Sequence, residues 1–243
     1  MGARFKLVLS DVDGTITVRR GSLLLCLEAV RAIRELESSG VVVSLVTGNS
    51  VPVAAGLARY VGASGPVVAE NGCTVFYRGI LHHACRGKPP SELEERLVER
   101  GFRASWQNPY RHHDLAFLPP GDMEPSEAMH IIIEESEALG WRGRILWTGF
   151  AFHVAPPEAS KASGAGLAAR LVGASLDEAI ALGDGENDLE LLRAAGYSAA
   201  PSDAEESVRR EADYIAGEPG GRGFAEVAKL ILEGKLPPRR RRA

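Results

Sequence analysis

The sequence predicts an α/β fold: a doubly wound parallel sheet with a second, inserted α+β subdomain. Three observations lead there. Apolar runs of strand length alternate with helical periodicities at both ends of the chain, a βαβα order that argues for a parallel sheet. The run at residues 41–46 is almost continuously apolar, as expected of a strand covered on both faces. From about residue 80 the alternation gives way to mixed strand and helix signals, bounded by Pro89-Pro90 and Pro156-Pro157. The expected division is a core of residues 1–80 and 157–243 carrying a subdomain of residues 81–156.

Each element has its own justification. Residues 5–9 are a compact apolar run of strand length. After a polar loop, Leu27, Val30, Ile33 and Leu36 fall at helical spacing, which predicts a helix over 23–39 with Gly40 as its stop. The strand at 41–46 ends in Thr47-Gly48-Asn49-Ser50, and a helix over 53–61 follows. Two short apolar runs around Asn71-Gly72 predict a hairpin over 66–77. In the middle segment, residues 82–90 read as a polar loop, and Ser91 to Glu94 as a capping box opening a charged helix. A strand over 111–118, a helix over 125–139 stopped at Gly140, and a strand pair at 144–147 and 150–154 complete that segment. The doubly wound pattern then resumes with a helix over 159–171, whose first turn carries Lys161. A strand at 178–182 runs into Gly183-Asp184-Gly185-Glu186-Asn187-Asp188 and a helix over 188–195. A strand at 197–200, a helix over 203–210, a strand at 213–216 and a helix over 224–232 close the pattern, and residues 237–242 read as a frayed basic tail.

Composition narrows the function classes. Hydrophobic content of 45% and charged content of 25% are ordinary for a soluble globular protein. A net charge of −4 gives no reason to expect nucleic-acid binding. No apolar run approaches membrane-spanning length and the N-terminus lacks a signal-peptide pattern, so no membrane partner is expected. Cys26, Cys73 and Cys85 are odd in number and lack a CxxC spacing, which predicts reduced thiols and a cytoplasmic compartment. The expected assembly is a monomer or homodimer.

The chemistry gathers at Asp11-Val12-Asp13-Gly14-Thr15. In an extended segment, i and i+2 share a side, so Asp11 and Asp13 can face one site. Two carboxylates held that close repel each other unless one is protonated or a cation lies between them. A solvated acidic turn is the plain alternative. A calcium loop of the EF-hand kind wants Gly at position 6 and Glu at position 12, where this chain has Ile16 and Ser22. In open α/β sheets, ligands bind beyond the carboxyl ends of the strands. Thr47, Asp184 and Asp188 lie at such ends, although each could instead serve as a helix cap. Lys161 opposes the macrodipole at a helix start, which suggests another use for its charge. Carboxylates with Mg²⁺, a lysine and a threonine hydroxyl together suit phosphoryl transfer.

Asp11-Val12-Asp13-Gly14-Thr15, Val46-Thr47-Gly48-Asn49, Lys161 and the 183–188 stretch match, in order, the four motifs of the haloacid dehalogenase superfamily, which the chain therefore resembles. The match covers the two outer segments and not the insert. The resemblance implies a Rossmann-like core, Asp11 as nucleophile, Asp13 as general acid/base, and Thr47, Gly48 and Lys161 as the phosphate-binding groups. It also implies Mg²⁺ held by Asp11, the Asp13 carbonyl, Asp184 and Asp188, with only one of the last two required as a direct ligand. An insert between the Thr47 and Lys161 motifs is similar to the larger α/β type of cap. The Thr-Gly-Asn strand end and Gly-Pro-Val-Val-Ala-Glu-Asn-Gly resemble the archaeal phosphoglycolate phosphatase branch, with sucrose-phosphate and mannosyl-phosphoglycerate phosphatases as neighbours. Ala162 after the motif lysine, and Asp203-Ala204 where many members carry Asn-Ala, depart from the branch pattern.

These implications amount to an Mg²⁺-dependent phosphatase of a small phosphorylated metabolite, foremost 2-phosphoglycolate, working through an aspartyl-phosphate. A sugar-phosphate phosphatase is the alternative substrate class. A phospho-accepting signalling domain is the alternative of another kind, disfavoured by a nucleophile on the first strand and by the inserted cap. Asn71 reads first as a turn residue and second as a site residue. His82-His83 and His112-His113 cannot each form one bidentate metal site, because neighbours on a strand point to opposite faces. His153, within an apolar run, reads as a satisfied buried histidine. A carboxylate-bearing substrate would want an arginine from the cap, and Arg111, Arg142 and Arg144 are the candidates.

Overall fold

Strand β1 (Leu7–Ser10) is buried along its whole length, because sheet partners flank it and helices cover both of its faces. A computed structural model describes residues 5–239 of the chain. After β1 come α1 (Leu27–Ser38), β2 (Val42–Leu45), α2 (Val51–Val61), β3 (Val67–Ala69), β4 (Thr74–Tyr77) and β5 (Ile80–His83). The middle of the chain forms α3 (Glu92–Glu99), β6 (Arg103–Ala104), β7 (Leu115–Leu118), α4 (Pro125–Ala138), β8 (Arg144–Trp147) and β9 (Phe152–Ala155). The last part forms α5 (Lys161–Leu171), β10 (Ala179–Leu182), α6 (Leu189–Ala194), β11 (Tyr197–Ala200), α7 (Glu206–Glu211), β12 (Tyr214–Ile215) and α8 (Gly220–Glu233).

The central sheet is parallel with strand order β12-β11-β10-β1-β2. Strand order reverses at β1, which pairs with β2 on one side and β10 on the other, and this is where a doubly wound sheet opens a crevice. Alternation along β1 sends Val8 into one layer and Leu7 and Leu9 into the other. The first layer contains Ile33, Leu36, Ala54, Phe224 and Ile231 from α1, α2 and α8; the second contains Ala165, Ala168, Leu191 and Val208 from α5, α6 and α7. No helix among the described residues is long and apolar enough to cross a membrane.

The cap is a separate antiparallel sheet, β6-β7-β9-β8, with α3 and α4 packed on it. Leu93, Leu97, Ala128 and Ile132 of the helices meet Leu115, Phe117, Phe152 and Val154 of the sheet. Alternation therefore turns Ala116 and His153, which pair in register, to the opposite face. A second antiparallel sheet, β3-β4-β5, hangs on β2 through a parallel bridge from Val46 to Val68. The expected division at residue 81 falls inside its last strand.

Several expectations need correcting. Helix α1 starts at Leu27, not at 23, because Leu25 forms a bridge with Thr17 and leaves Leu23 and Leu24 in the exposed turn before it. The strand expected over 111–118 begins only at Leu115, since residues 111–114 turn away to build a buried polar cluster. Helix α8 starts at Gly220, where burial of its glycine-rich first turn overrides poor helix propensity. Residues 80–83 form a strand, so His82 and His83, the first two residues of the expected polar loop over 82–90, are its last two residues. The cysteines were expected to be reduced, yet Cys73 and Cys85 are joined in a disulfide and only Cys26 is free among the described residues. The hairpin explains it: Thr74 pairs with His83, so the chain on either side of that pair brings the two sulfurs together without any CxxC spacing. The cysteine argument for a reducing compartment falls with it. The tail is docked as far as it is described, with Tyr197 donating to the Pro237 carbonyl and Arg239 beside Asp213; residues 240–242 of the expected basic tail lie outside the described residues.

Candidate active site

The crevice at the end of β1 collects the residues singled out above. The Asp11 N–H continues the ladder by donating to the Leu182 carbonyl at 2.9 Å, which carries its side chain past the strand end into the crevice. The chain then turns beneath Asp184. Gly14 has φ +92°, and a Cβ there would sit 2.3 Å from Asp184 Oδ2, so no side chain is possible at that turn. Thr15 Oγ1 donates to Asp184 Oδ1 at 3.1 Å, and Arg20 Nε lies 2.9 Å from Asp184 Oδ2. From the first turn of α5, Lys161 Nζ reaches Asp11 Oδ1 and Asp188 Oδ1, each at 2.6 Å. Its departure from the macrodipole rule is thus explained by a buried double ion pair. Asp188 Oδ2 accepts the N–H groups of Asp184 and Gly185 at 3.0 and 3.1 Å.

At the end of β2, Thr47 Oγ1 accepts from the Asn49 backbone N–H at 3.1 Å and from Asn49 Nδ2 at 3.0 Å, which leaves its own proton free to donate. Asn49 Nδ2 also donates to Asp13 Oδ2 at 3.0 Å. Oxygens of Asp11, Asp184 and Asp188 lie within 4.8 Å of one another, the one acid cluster of that kind among the described residues. Burial, opposed by Lys161 and reinforced by Asp188, Asp184 and Asp13, pushes Asp11 well above the usual carboxylate range. Burial followed by Asp188 raises Asp184 to about 7. Burial also raises Asp13, against its hydrogen bond from Asn49. Burial alone would depress Lys161, but Asp11 and Asp188 outweigh it and keep the amine protonated. Four carboxylates around one lysine and one arginine ask for a further cation, and an all-oxygen donor set suits a hard divalent ion.

The cap supplies the opposite wall. The cleft over Asp11, Asp13 and Asp184 is lined from the cap by Ser105, Gln107, Arg111, Phe150 and His153. Arg111 Nη1 donates to both oxygens of Asp114, at 2.8 and 3.0 Å, and to the Gly48 carbonyl at 2.9 Å. Asp114 Oδ2 also holds His153 Nδ1 at 2.8 Å. Burial would raise Asp114, but Arg111 and His153 reverse that and lower it to about 2. A Cβ on Gly48 would stand 3.1 Å from Asn71 Oδ1 and 3.3 Å from His153 Cε1, so glycine is what lets cap and core close at this point. Glu70 Oε2 accepts the backbone N–H groups of His112 and His113 at 2.9 and 2.8 Å.

Of the three arginines considered, Arg111 lines the cleft, whereas Arg144 is engaged by Glu190 and the Ala159 carbonyl and Arg142 is exposed. His153 is buried and hydrogen-bonded as expected, but it faces the cleft, which the period-2 alternation around it could have revealed. Asn71 is buried beside Gly48 with neither amide atom hydrogen-bonded, and it lines a second cavity with Lys161, Trp147 and Asn187. His82 and His83 lie on β5, but His112 and His113 precede β7, so strand alternation does not separate them: both of their rings come to His83, with centroids at 5.5 and 5.0 Å and His83 Nδ1 2.8 Å from His113 Nε2. Gln107, Asp114 and Glu70 escaped sequence reading, because no local spacing ties them to the strand-end motifs.

Comparison with known proteins bears on this geometry. A family model for haloacid dehalogenase-like hydrolases matches residues 8–86 and 135–227. A phosphoglycolate phosphatase of Aeropyrum pernix is 44% identical over 232 residues, covering 94% of each chain. One from Metallosphaera sedula is 35% identical, covering 93% of this chain and 99% of its own. Among solved structures, Thermoplasma acidophilum 0175 is similar with a TM-score of 0.81 at 25% identity, covering 94% of this chain and 98% of that one. A haloacid dehalogenase-like hydrolase from Bacteroides thetaiotaomicron shares the fold with a TM-score of 0.75 at 18% identity, covering 93% and 99%.

Proposed function

The chain belongs to the haloacid dehalogenase-like hydrolase family, and from that premise we propose that it hydrolyses a small organic phosphate monoester, foremost 2-phosphoglycolate. The observation that carries this reading is the buried Asp11 carboxylate gripped by Lys161, with Asp13 beside it and the Thr47 proton unclaimed. Asp11 attacks phosphorus and forms an aspartyl-phosphate as the bond to the ester oxygen breaks. Asp13 protonates the departing alkoxide, then takes a proton from the water that hydrolyses the acyl phosphate, which returns both carboxyls to their starting states. Lys161, the Thr47 hydroxyl and the Gly48 N–H offset charge on the phosphoryl oxygens.

Asp11, the Asp13 carbonyl, Asp184 and Asp188 are the groups that would hold Mg²⁺; Asp184 is engaged by Thr15 and Arg20, and Asp188 by Lys161 and backbone N–H groups, so the ion would take the place of one of these partners. When bound, the ion supplies a hard Lewis acid that draws charge from a phosphoryl oxygen. Arg111 in the cleft wall supports a substrate with a carboxylate arm, in keeping with the named activity of the relatives.

The test is phosphate release with Mg²⁺ from phosphoglycolate and a panel of sugar phosphates. We expect the highest kcat/KM on phosphoglycolate, and a loss of more than about 10³-fold in Asp11→Asn with the fold intact. A sugar phosphate as best substrate moves the substrate assignment; near wild-type turnover by the variant removes Asp11 from the nucleophilic role.

A further inference from the structure

A chain of side-chain amides runs from the cap to Asp13, and its polarity is determined. Amide nitrogen and oxygen are hard to tell apart by shape, so direction has to come from an obligatory partner. Here that partner is the backbone N–H of Ser50, at the start of α2, which can only donate. It donates to Gln107 Oε1 at 2.8 Å. Gln107 Nε2 is thereby turned to Asn49 and donates to Asn49 Oδ1 at 2.8 Å. Asn49 Nδ2 is in turn committed to Asp13 Oδ2 and Thr47 Oγ1, each at 3.0 Å. Gln107 belongs to the cap segment between β6 and β7, where its own N–H donates to Ser105 Oγ at 3.2 Å. The link thus exists only while the cap is seated on the loop after β2.

An oxygen that accepts from an amide N–H is a poor place for a proton. We propose that Gln107 is a positioning residue through which the cap orients the Asp13 carboxyl: it fixes the Asn49 amide with Nδ2 on Asp13 Oδ2, so Oδ2 is held as an acceptor and Oδ1 is the oxygen left to exchange a proton with the leaving group. This rests on the phosphatase reading. As the Asp11 oxygen–phosphorus bond forms and the phosphorus–ester bond breaks, the Oδ1 proton passes to the departing oxygen. In the second half, Oδ1 takes a proton from the attacking water. Without Gln107, Asn49 Oδ1 loses its donor and the amide is free to turn, so Asp13 Oδ2 is no longer held as an acceptor.

The test uses two substrates of one shape that differ in leaving group. Ethyl phosphate must release an alkoxide, which needs a proton; acetyl phosphate releases acetate, which does not. Gln107→Glu keeps the acceptor for the Ser50 N–H but faces Asn49 with an oxygen, which turns the Asn49 amide around and reverses the chain. Gln107→Ala removes the link. We expect Gln107→Glu to lower kcat/KM on ethyl phosphate by about 10–100-fold. The ratio of ethyl phosphate to acetyl phosphate should fall by about tenfold or more, with Gln107→Ala between wild type and Gln107→Glu. Equal losses on both substrates would mark a merely structural role and overturn the proposal, as would an unchanged ratio in both variants. A wild-type protein that releases phosphate from neither of these substrates, nor from phosphoglycolate or any sugar phosphate, overturns the phosphatase reading itself, which is a separate outcome.

Discussion

Asp114 is the residue on which the cap's inner wall depends. It has no exposed surface, and it receives Arg111 and His153 on its two oxygens. Its ordinary value of 3.8 is lowered to about 2 in the folded protein, so its ionised form is favoured by folding. The sign follows: stability from this group is fully present above about pH 4 and drains away as pH falls toward 2. The amount is on the order of 2 kcal/mol. Denaturant unfolding from pH 6 down to 2 should show that loss in wild type and a flatter profile in Asp114→Asn. The variant should also be less stable at neutral pH, because Arg111 is left with a buried charge and no counter-ion. An equally steep acid limb in both proteins would place the acid sensitivity elsewhere. Arg111 was legible as a candidate from its charge alone, whereas Asp114 was not, because nothing in a stretch reading as strand announced a turn.

At the scale of elements, the disulfide between Cys73 and Cys85 ties the end of the core hairpin to the start of the chain leading into the cap. It packs against Ala155 and Ala159, where the chain returns from the cap. With a sequence separation of 12 the closed loop is short, and chain-entropy reasoning assigns it about 3 kcal/mol. Cys73→Ser and a reducing agent should each lower stability by that amount, and reductant should do nothing further to the variant. Stability unchanged by reductant in wild type would show that the bond contributes nothing. The hairpin itself was legible from Asn71-Gly72 flanked by apolar runs. The bond was not, because strand β5 had to pair in register before two distant cysteines could meet. The same limit hid β6, which is two residues long and owes its existence to β7.

At the scale of the whole molecule, four acidic side chains converge from two ends of the chain, and Lys161 and Arg20 only partly offset them. Removing divalent metal with a chelator should abolish turnover. Adding Mg²⁺ back should raise Tm, since an ion bound at about 100 times its Kd stabilises the folded state by about 2.7 kcal/mol. A Tm indifferent to Mg²⁺ over millimolar concentrations would argue against an inner-sphere site among these carboxylates.

The sequence by itself determined the doubly wound core, the four motifs (three at strand ends and one at a helix start) and the presence of an inserted cap. Each of these is written in local signals: apolar runs of strand length, helical periodicity, and reactive residues where strands stop. Only the tertiary structure decided which cap residues reach the cleft, that Asp188 is occupied by Lys161 and backbone N–H groups, and that Gln107 addresses Asp13 through Asn49. The reason is physical. A strand end or a helix start is specified by neighbours a few residues away, while the wall of a cleft is specified by how one folded layer seats on another. Contacts such as Gln107 to Asn49 and Arg111 to Gly48 join residues 58 and 63 positions apart, beyond the reach of any periodicity.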